Sequence, residues 1–266
     1  MKALIIDEVY EGIGRELGKY MTVDTKMLPT QEELANLIGE YDVLIMRVDP
    51  AINKEILDAA KNLKVIGVCS VGLNHIDLDA AKAKGIQVFN APGMNGNAVA
   101  ELTLAKMLEL SRRTIPADLD VTVNKRWDKY RFVGRELRGK TLGILGFGRI
   151  GQRVGELGRA FLMDVVAYDP FLPAHVFEEQ HAKSMSIAEV LKVADFVTIH
   201  MPLTDETRHM FNAESIASMK HDAVVLNMAR GGIVDEKAMY EALKAGKIGG
   251  YATDVMENEL ADGGLT

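Results

Sequence analysis

Short apolar, β-branched runs alternate with helical patterns along the whole chain. This alternation is typical of parallel sheets, in which a helix joins each strand to the next. The predicted strands are 2–6, 42–46, 64–68, 87–89, 141–146, 165–169, 195–200, 223–227 and 249–253. The predicted helices lie near 11–20, 31–40, 53–61, 77–84, 98–112, 150–162, 186–193, 212–220 and 235–245. The sequence therefore predicts an α/β fold with parallel sheets.

The alternation restarts after residues 95–100, which predicts two domains, 1–97 and 98–266. The helix from Ala98 is apolar on most of its faces, with Asn97 as its expected N-cap. Such a helix is expected to be buried between domains or between subunits. The more polar segment 114–140 carries Trp127 and is interpreted as an arm or crossover. Together they predict a homodimer or a higher homo-oligomer.

Charge and composition exclude several classes of partner. The net charge is −7, which argues against nucleic acid and anionic membranes, because both attract basic surfaces. No apolar run is long enough to span a membrane, and the first one is too short for a signal peptide. Cys69 is the single cysteine, so an intrachain disulfide is impossible and a cytoplasmic location is expected.

One glycine motif predicts a dinucleotide site. Gly146, Gly148 and Gly151 form a G-x-G-x-x-G pattern that closes an apolar strand and opens a helix. Asp169 ends the next strand, near the spacing of about 20 residues expected for the acid that binds the ribose of NAD. A carboxylate there repels a 2′-phosphate, so the predicted cofactor is NAD. Arg149 inside the loop contacts a phosphate or is merely solvated.

A second motif is judged accidental. Residues 134–141, "GRELRGKT", match the phosphate-loop pattern, but that pattern needs a helix directly after it. Here an apolar strand follows instead.

Polar residues at three strand ends predict a substrate site. His200, Arg230 and Asp254 each close or follow a predicted strand, and ligands of open parallel sheets lie beyond the carboxyl ends of the strands. We expect the three to converge near the nicotinamide. Arginine is planar, bidentate and always charged, so Arg230 is expected to bind a carboxylate. Gly231 and Gly232 suggest that something approaches the backbone there.

Several segments of the chain resemble the D-isomer-specific 2-hydroxyacid dehydrogenases, most closely their phosphoglycerate dehydrogenase branch. The segments that carry the resemblance are 71–93, 100–112, 136–151, 168–170, 200–207, 226–236 and 254–259. The resemblance implies a flavodoxin-like substrate domain and a Rossmann NAD-binding domain. It also implies hydride transfer between NAD and C2 of a D-2-hydroxy acid or 2-oxo acid, with 3-phosphoglycerate as one possible substrate.

The resemblance also implies roles for particular residues. Arg230 corresponds to the substrate arginine, and Glu259 to the acid that orients the catalytic histidine. The implied substrate contacts in the first domain are Arg47, Val71 and Gly72, the last two through backbone N–H groups. The implied cofactor contacts are Gly146, Gly148, Arg149, Ile150, Gly151, Asp169, His200, Pro202, Met228, Ala229 and Asp254.

The resemblance stops short of the family's catalytic histidine. In the family this residue, a further strand and a return helix follow the position of Glu259, whereas this sequence ends at Thr266. A chain that ends there is expected to bind NAD but to lose most turnover, since a general acid–base group contributes about 10²–10⁴-fold. Leu260 follows Glu259 where the family usually has proline.

The remaining histidines predict no metal site. His75 with Asp77 and Asp79 could suggest metal ligands, but helix capping is the simpler interpretation. His175, His181, His209 and His221 are expected at the surface, and no zinc-type spacing occurs. The alternative to an enzyme is an NAD-binding sensor or scaffold of the same fold. A third hypothesis, a phosphate-loop nucleotidase, depends on the rejected "GRELRGKT" motif.

Overall fold

The computed structural model describes residues 1–257 and divides the chain into two compact units. The first is Met1–Asn95 and the second begins at Gly96. Each unit has its own parallel sheet, so the predicted α/β class is confirmed. None of the described helices combines the length and the apolar character needed to cross a membrane.

The first unit is a five-stranded parallel sheet with the order β2-β1-β3-β4-β5. Its strands are β1 (Lys2–Ile5), β2 (Thr22–Thr25), β3 (Val43–Met46), β4 (Val65–Val68) and β5 (Gln87–Phe89). Its helices are α1 (Gly12–Leu17), α2 (Gln31–Leu37), α3 (Lys54–Ala59) and α4 (Leu78–Ala83). This strand order is that of flavodoxin-like folds.

Local sequence explains where these helices begin. Thr30 and Glu33 form a reciprocal capping box at α2, and the side chain of Asn53 caps α3. The Asp77 side chain accepts the N–H of Ala80 at the start of α4. The capping interpretation of Asp77 is therefore confirmed.

The second unit contains a six-stranded parallel sheet with the order β11-β10-β9-β6-β7-β8. Its strands are β6 (Thr141–Leu145), β7 (Asp164–Tyr168), β8 (Lys183–Ser184), β9 (Phe196–Ile199), β10 (Val224–Asn227) and β11 (Gly250–Thr253). Its helices are α5 (Gly96–Arg112), α6 (Thr114–Thr122), α7 (Arg149–Ala160), α8 (Ala174–Glu179), α9 (Ile187–Val193), α10 (Ala213–Ser218) and α11 (Glu236–Lys244). Numbered within the unit, this is the Rossmann order, with its switch point between β6 and β9.

Alternate residues of the central strands in this sheet face two separate cores. Leu145, Val197 and Val225 belong to one buried cluster. Ile144 and Leu226 belong to the other, on the opposite face. Both faces of the sheet are therefore covered, as expected for parallel strands that read as continuous apolar runs.

The long helix begins earlier than the sequence predicted. α5 starts at Gly96, so Asn97 lies inside the helix, where its side-chain oxygen accepts a hydrogen bond from Arg153 Nε at 2.9 Å. The prediction of Asn97 as N-cap was wrong. α5 packs against α7, and its buried side chains include Ala100, Leu104 and Met107.

Candidate active site

The turn between β6 and α7 is built on glycine. Gly146 has φ = 91°, a left-handed conformation that glycine adopts without steric cost. A Cβ at Gly146 would lie 2.6 Å from the carbonyl oxygen of His200, and one at Gly151 would collide with the carbonyl oxygen of Gly146. The helix can therefore approach the strand this closely only with glycine at both positions.

The space in front of α7 suits an anion. Gly148 is the N-cap, no side chain caps the helix, and no heavy atom lies within 4 Å of a Cβ built there. A helix N-terminus presents backbone N–H groups and a positive dipole end. Arg149 is exposed beside it, whereas Ile150 is half-buried against an apolar cluster. The turn thus fits the pyrophosphate of a dinucleotide.

Asp169 connects this turn to the loop after β7. One carboxylate oxygen accepts the N–H of Phe147 at 2.9 Å, and the other accepts the N–H of Phe171 at 3.0 Å. Each oxygen has further lone pairs, so the half-buried carboxylate can still accept hydroxyl donors. This arrangement suits the diol of a ribose.

A cavity of about 580 Å³ lies over these residues. Gly146, Gly148 and Asp169 line it, together with His200 and Pro202. Its volume is typical of small-molecule sites, which are usually about 300–1,000 Å³. Arg230 and Asp254 are not among the residues that line this cavity, and the expected convergence of His200 with these two stays a prediction.

His200 cannot act as an acid at neutral pH. Burial lowers the pKa of His200 to about 3, which leaves the imidazole neutral. Nε2 lies 2.9 Å from Thr198 Oγ1, and Nδ1 is buried without a hydrogen-bond partner among residues 1–257. Its position on the cavity wall instead suits a polar contact with a bound cofactor.

Arg230 follows β10 in a turn organised by a buried asparagine. The side chain of Asn227 donates to the Arg230 carbonyl at 2.9 Å and accepts the Ala229 N–H at 3.2 Å. Arg230 is half-buried, and its guanidinium donates to the Ala229 carbonyl at 2.7 Å. It remains able to bind a carboxylate from outside the described chain.

The segment after β11 crosses directly over Gly231. A Cβ at Gly231 would collide with the backbone of Met256 and Glu257, whereas one at Gly232 would meet side-chain atoms of Arg208 and Leu203 at 3.3 Å. The group that approaches Gly231 is therefore the backbone of Met256 and Glu257.

Glu257 holds this crossing segment in place. Its carboxylate lies 2.6 Å from Nε2 of His209, and its N–H donates to Glu236 at 2.9 Å. His209 lies at the surface as expected, with its side chain 42% exposed, and its ring is also paired with Glu257. Sequence reasoning could not find this contact, since nothing in the pattern relates the two distant positions.

The other expected site residues occupy several environments. Met228 and Ala229 are buried beside Arg230, and Asp254 is exposed just past β11. In the first unit, Arg47 and Val71 are exposed and Gly72 is half-buried, each just past the end of β3 or β4. Glu259 lies outside the described residues.

Comparison with known proteins supplies the family. The pattern of the "D-isomer specific 2-hydroxyacid dehydrogenase, NAD binding domain" matches residues 104–264. The chain belongs to the D-isomer-specific 2-hydroxyacid dehydrogenase family. It is 42% identical to the hydroxypyruvate reductase of Thermotoga maritima over 86% of this chain and 74% of that protein. The matched residues all lie in the second unit, which therefore carries the similarity to that family's NAD-binding domain.

Other relatives of this chain are longer. The D-3-phosphoglycerate dehydrogenase of Methanocaldococcus jannaschii is 44% identical over 97% of this chain and 49% of its own length. The chain thus spans about half the length of that relative. The D-lactate dehydrogenase of Aquifex aeolicus, solved with NAD and lactic acid, superposes with a TM-score of 0.83 at 32% identity, covering 99% of this chain and 82% of that one.

The structure describes the surroundings of the rejected phosphate-loop motif and of the candidate metal ligands. "GRELRGKT" runs into β6 at Thr141 rather than into a helix, so the phosphate-loop geometry is absent there. Among residues 1–257, no group of three or more His, Cys, Asp or Glu side chains is placed to hold a metal ion.

Proposed function

We propose that the protein is an NAD-dependent oxidoreductase that interconverts D-2-hydroxy acids and 2-oxo acids. The observation that carries this proposal is the turn at Gly146–Gly151 with Asp169 beside a cavity of about 580 Å³. When bound, NAD supplies the acceptor or donor of the hydride at C2. We assign residues 1–97 to the substrate domain and 98–266 to the NAD-binding domain.

The chain's own residues then have distinct roles. Gly148 and the N-terminus of α7 bind the pyrophosphate, and Asp169 accepts the ribose hydroxyls. Arg230 binds the substrate carboxylate and polarises the reacting acid, because a guanidinium cannot usefully give up a proton. Glu259 is assigned by family resemblance to orient the acid–base histidine.

The proposed substrate class includes 3-phosphoglycerate. The phosphoglycerate dehydrogenase and hydroxypyruvate reductase relatives support this range of acids. Arg47 supplies one exposed positive charge in the first unit. If it binds a phosphate, Arg47→Ala raises the KM for phosphoglycerate far more than the KM for an unphosphorylated acid. Equal effects on both would exclude the phosphate role.

Oxidation of NADH tests the proposed function. The protein is mixed with NADH and, separately, with hydroxypyruvate, glyoxylate, pyruvate and 2-oxoglutarate, and absorbance is followed. Protein that includes the family's acid–base histidine is expected to show acid-dependent oxidation that Arg230→Ala abolishes, whereas a chain that ends at Thr266 is expected to show little turnover. NAD binding with no turnover of any 2-hydroxy or 2-oxo acid, in protein that includes this histidine, would favour the sensor or scaffold instead.

We also infer a homodimer in the cytoplasm. The segment 114–134 carries several large apolar side chains that are exposed to solvent, and this exposure is unfavourable for a monomer. These are Ile115, Leu119, Val121, Val123, Trp127, Tyr130 and Val133. The presence of a single cysteine supports the reducing location.

A further inference from the structure

Three polar side chains at the carboxyl edge of the first sheet hold the loops that carry Arg47, Val71 and Gly72. Asp7 follows β1, and Ser70 follows β4. Asn90 follows β5. Parallel strands end at one edge of a sheet, so these residues share that edge with Arg47.

Asp7 fixes the loop after β3 through the backbone. One of its carboxylate oxygens accepts the N–H groups of Arg47, Val48 and Asp49 at 3.0, 2.6 and 3.1 Å. The residue is only 8% exposed. Burial raises its pKa, but the backbone hydrogen bonds outweigh that effect and lower the pKa overall, so the carboxylate is charged at neutral pH.

Ser70 and Asn90 hold the neighbouring loop. The Ser70 hydroxyl lies within donating distance of two carbonyls, that of Arg47 at 3.0 Å and that of Gly72 at 3.1 Å. Asn90 Nδ2 donates to the Val71 carbonyl at 2.7 Å. Ser70 therefore connects the Arg47 loop with the turn at Val71 and Gly72.

The donors held in this way are available to a ligand. The N–H groups of Val71 and Gly72 donate to no acceptor within residues 1–257, and Arg47 is exposed. Two backbone N–H groups and a guanidinium on adjacent loops form a donor set that suits an oxyanion.

We propose that Asp7, Ser70 and Asn90 are positioning residues that fix Arg47 and the Val71–Gly72 turn for binding an oxyanion of the substrate. The proposal rests on the proposed function and on the family resemblance, which implies that Arg47, Val71 and Gly72 contact the substrate. Asp7 sets the path of the Arg47 loop, and Ser70 sets its distance from the turn. None of the three side chains needs to contact the substrate itself.

The test compares Asp7→Asn and Ser70→Ala with a matched control, Asn62→Ala. Asn62 Nδ2 donates to the Gly39 carbonyl at 2.7 Å, and both residues precede their strands, at the opposite edge of the sheet. Calorimetry measures the Kd of 3-phosphoglycerate for the full chain loaded with NAD, and separately the Kd of NAD. We expect the Kd of the acid to rise about 10- to 100-fold in the first two variants, as small displacements of a binding group do. The Kd of NAD is unchanged, and Asn62→Ala changes neither constant.

The variant Arg47→Ala and the double variant Asp7→Asn/Arg47→Ala distinguish an effect of Asp7 on the position of Arg47 from a general loss of protein stability. If Asp7 acts through Arg47, adding Asp7→Asn to Arg47→Ala causes little further loss. If Arg47→Ala weakens acid binding but Asp7→Asn and Ser70→Ala do not, positioning is wrong and the proposed function stands. If wild-type protein binds NAD but no acid, the proposed function fails, and this proposal with it.

Hydrogen exchange adds a readout that needs no ligand. The amides of Arg47, Val48 and Asp49 should exchange faster in Asp7→Asn and remain protected in Asn62→Ala. Unchanged exchange in Asp7→Asn would overturn the proposal, whatever the affinities.

Discussion

Within residues 1–257, the guanidinium of Arg230 donates to a single acceptor. It donates to the Ala229 carbonyl, which leaves most of its five donors for a ligand. Asn227 fixes the backbone of the same turn, so the side chain leaves from a defined point. A side chain placed in this way can bind a carboxylate with two parallel hydrogen bonds.

Arg230→Lys tests that geometry because it keeps the charge and removes the planar fork. We expect the Kd of a 2-oxo acid to rise at least about tenfold, since a hydrogen bond to a charged group contributes about 1.5–3 kcal/mol. The Kd of NAD should not change. Calorimetric titration measures both constants, with exposed Arg138→Lys as the control. Unchanged acid affinity would show that Arg230 is not the carboxylate contact.

Gly231 and Gly232 are neighbours with different constraints. A methyl group at Gly231 meets the backbone of Met256 and Glu257, which cannot move without displacing the whole segment. A methyl group at Gly232 meets only the ends of two side chains. We expect Gly231→Ala to cost about 1–3 kcal/mol, as overpacking does, and Gly232→Ala to cost less. Urea denaturation of both variants measures the free energy of unfolding of each. Equal losses of stability would contradict the close contact between Gly231 and the backbone of Met256 and Glu257.

At the scale of helices and strands, glycines allow α7 to pack closely against the sheet. A Cβ at Gly151 meets a backbone carbonyl in the cofactor turn, whereas one at Gly155 meets only side-chain carbons at 3.4 Å. Two substitutions one helical turn apart therefore differ in whether they disturb the turn at Gly146 and Gly148.

We expect Gly151→Ala to weaken NAD binding by at least about tenfold, since the turn must shift to admit the methyl group. Gly155→Ala should bind NAD normally and gain up to about 1 kcal/mol of helix propensity. Fluorescence titration with NADH and thermal denaturation measure the two effects. If both variants bound NADH alike, the close approach of Gly151 would not shape the site.

Elements with strong apolar patterns were predictable from sequence, whereas the polar edge strands β2 and β8 were not. β6, β9 and β10 are buried apolar runs and were predicted within a residue or two at each end. β2 was missed because "TVDT" is polar and mostly exposed at the edge of its sheet. β8 has only two residues, and the short helix α8 follows Pro173 without a clear apolar face.

The candidate site was predictable in part. Gly146–Gly151 and Asp169 follow one another along the chain at a spacing that the chemistry requires. The bonds of Asp7 to residues 47–49 and of His209 to Glu257 join distant parts of the sequence. Such contacts depend on how strands are ordered in each sheet, which no local pattern records.

At the scale of the whole molecule, the exposed apolar side chains of the segment 114–134 predict that the protein forms a dimer. Trp127 is 82% exposed on the segment 114–134, among other exposed apolar residues. We expect Trp127→Glu to convert a dimer to a monomer, because a charge cannot be buried there without a partner. Tyr240→Glu, on α11 and 59% exposed, is the control and should remain dimeric. Light scattering gives the mass of each; a monomeric wild-type protein would refute the dimer.

Binding of the cofactor is the most direct test of the central claim, because it depends on the second unit's own turn and acid. Calorimetric titration with NAD and with NADP gives the two affinities for wild type and for Asp169→Ala. The account predicts saturable NAD binding, a weaker affinity for NADP, and loss of that preference in Asp169→Ala, since the carboxylate repels a 2′-phosphate. No NAD binding, or binding that Asp169→Ala leaves unchanged for both cofactors, would contradict it.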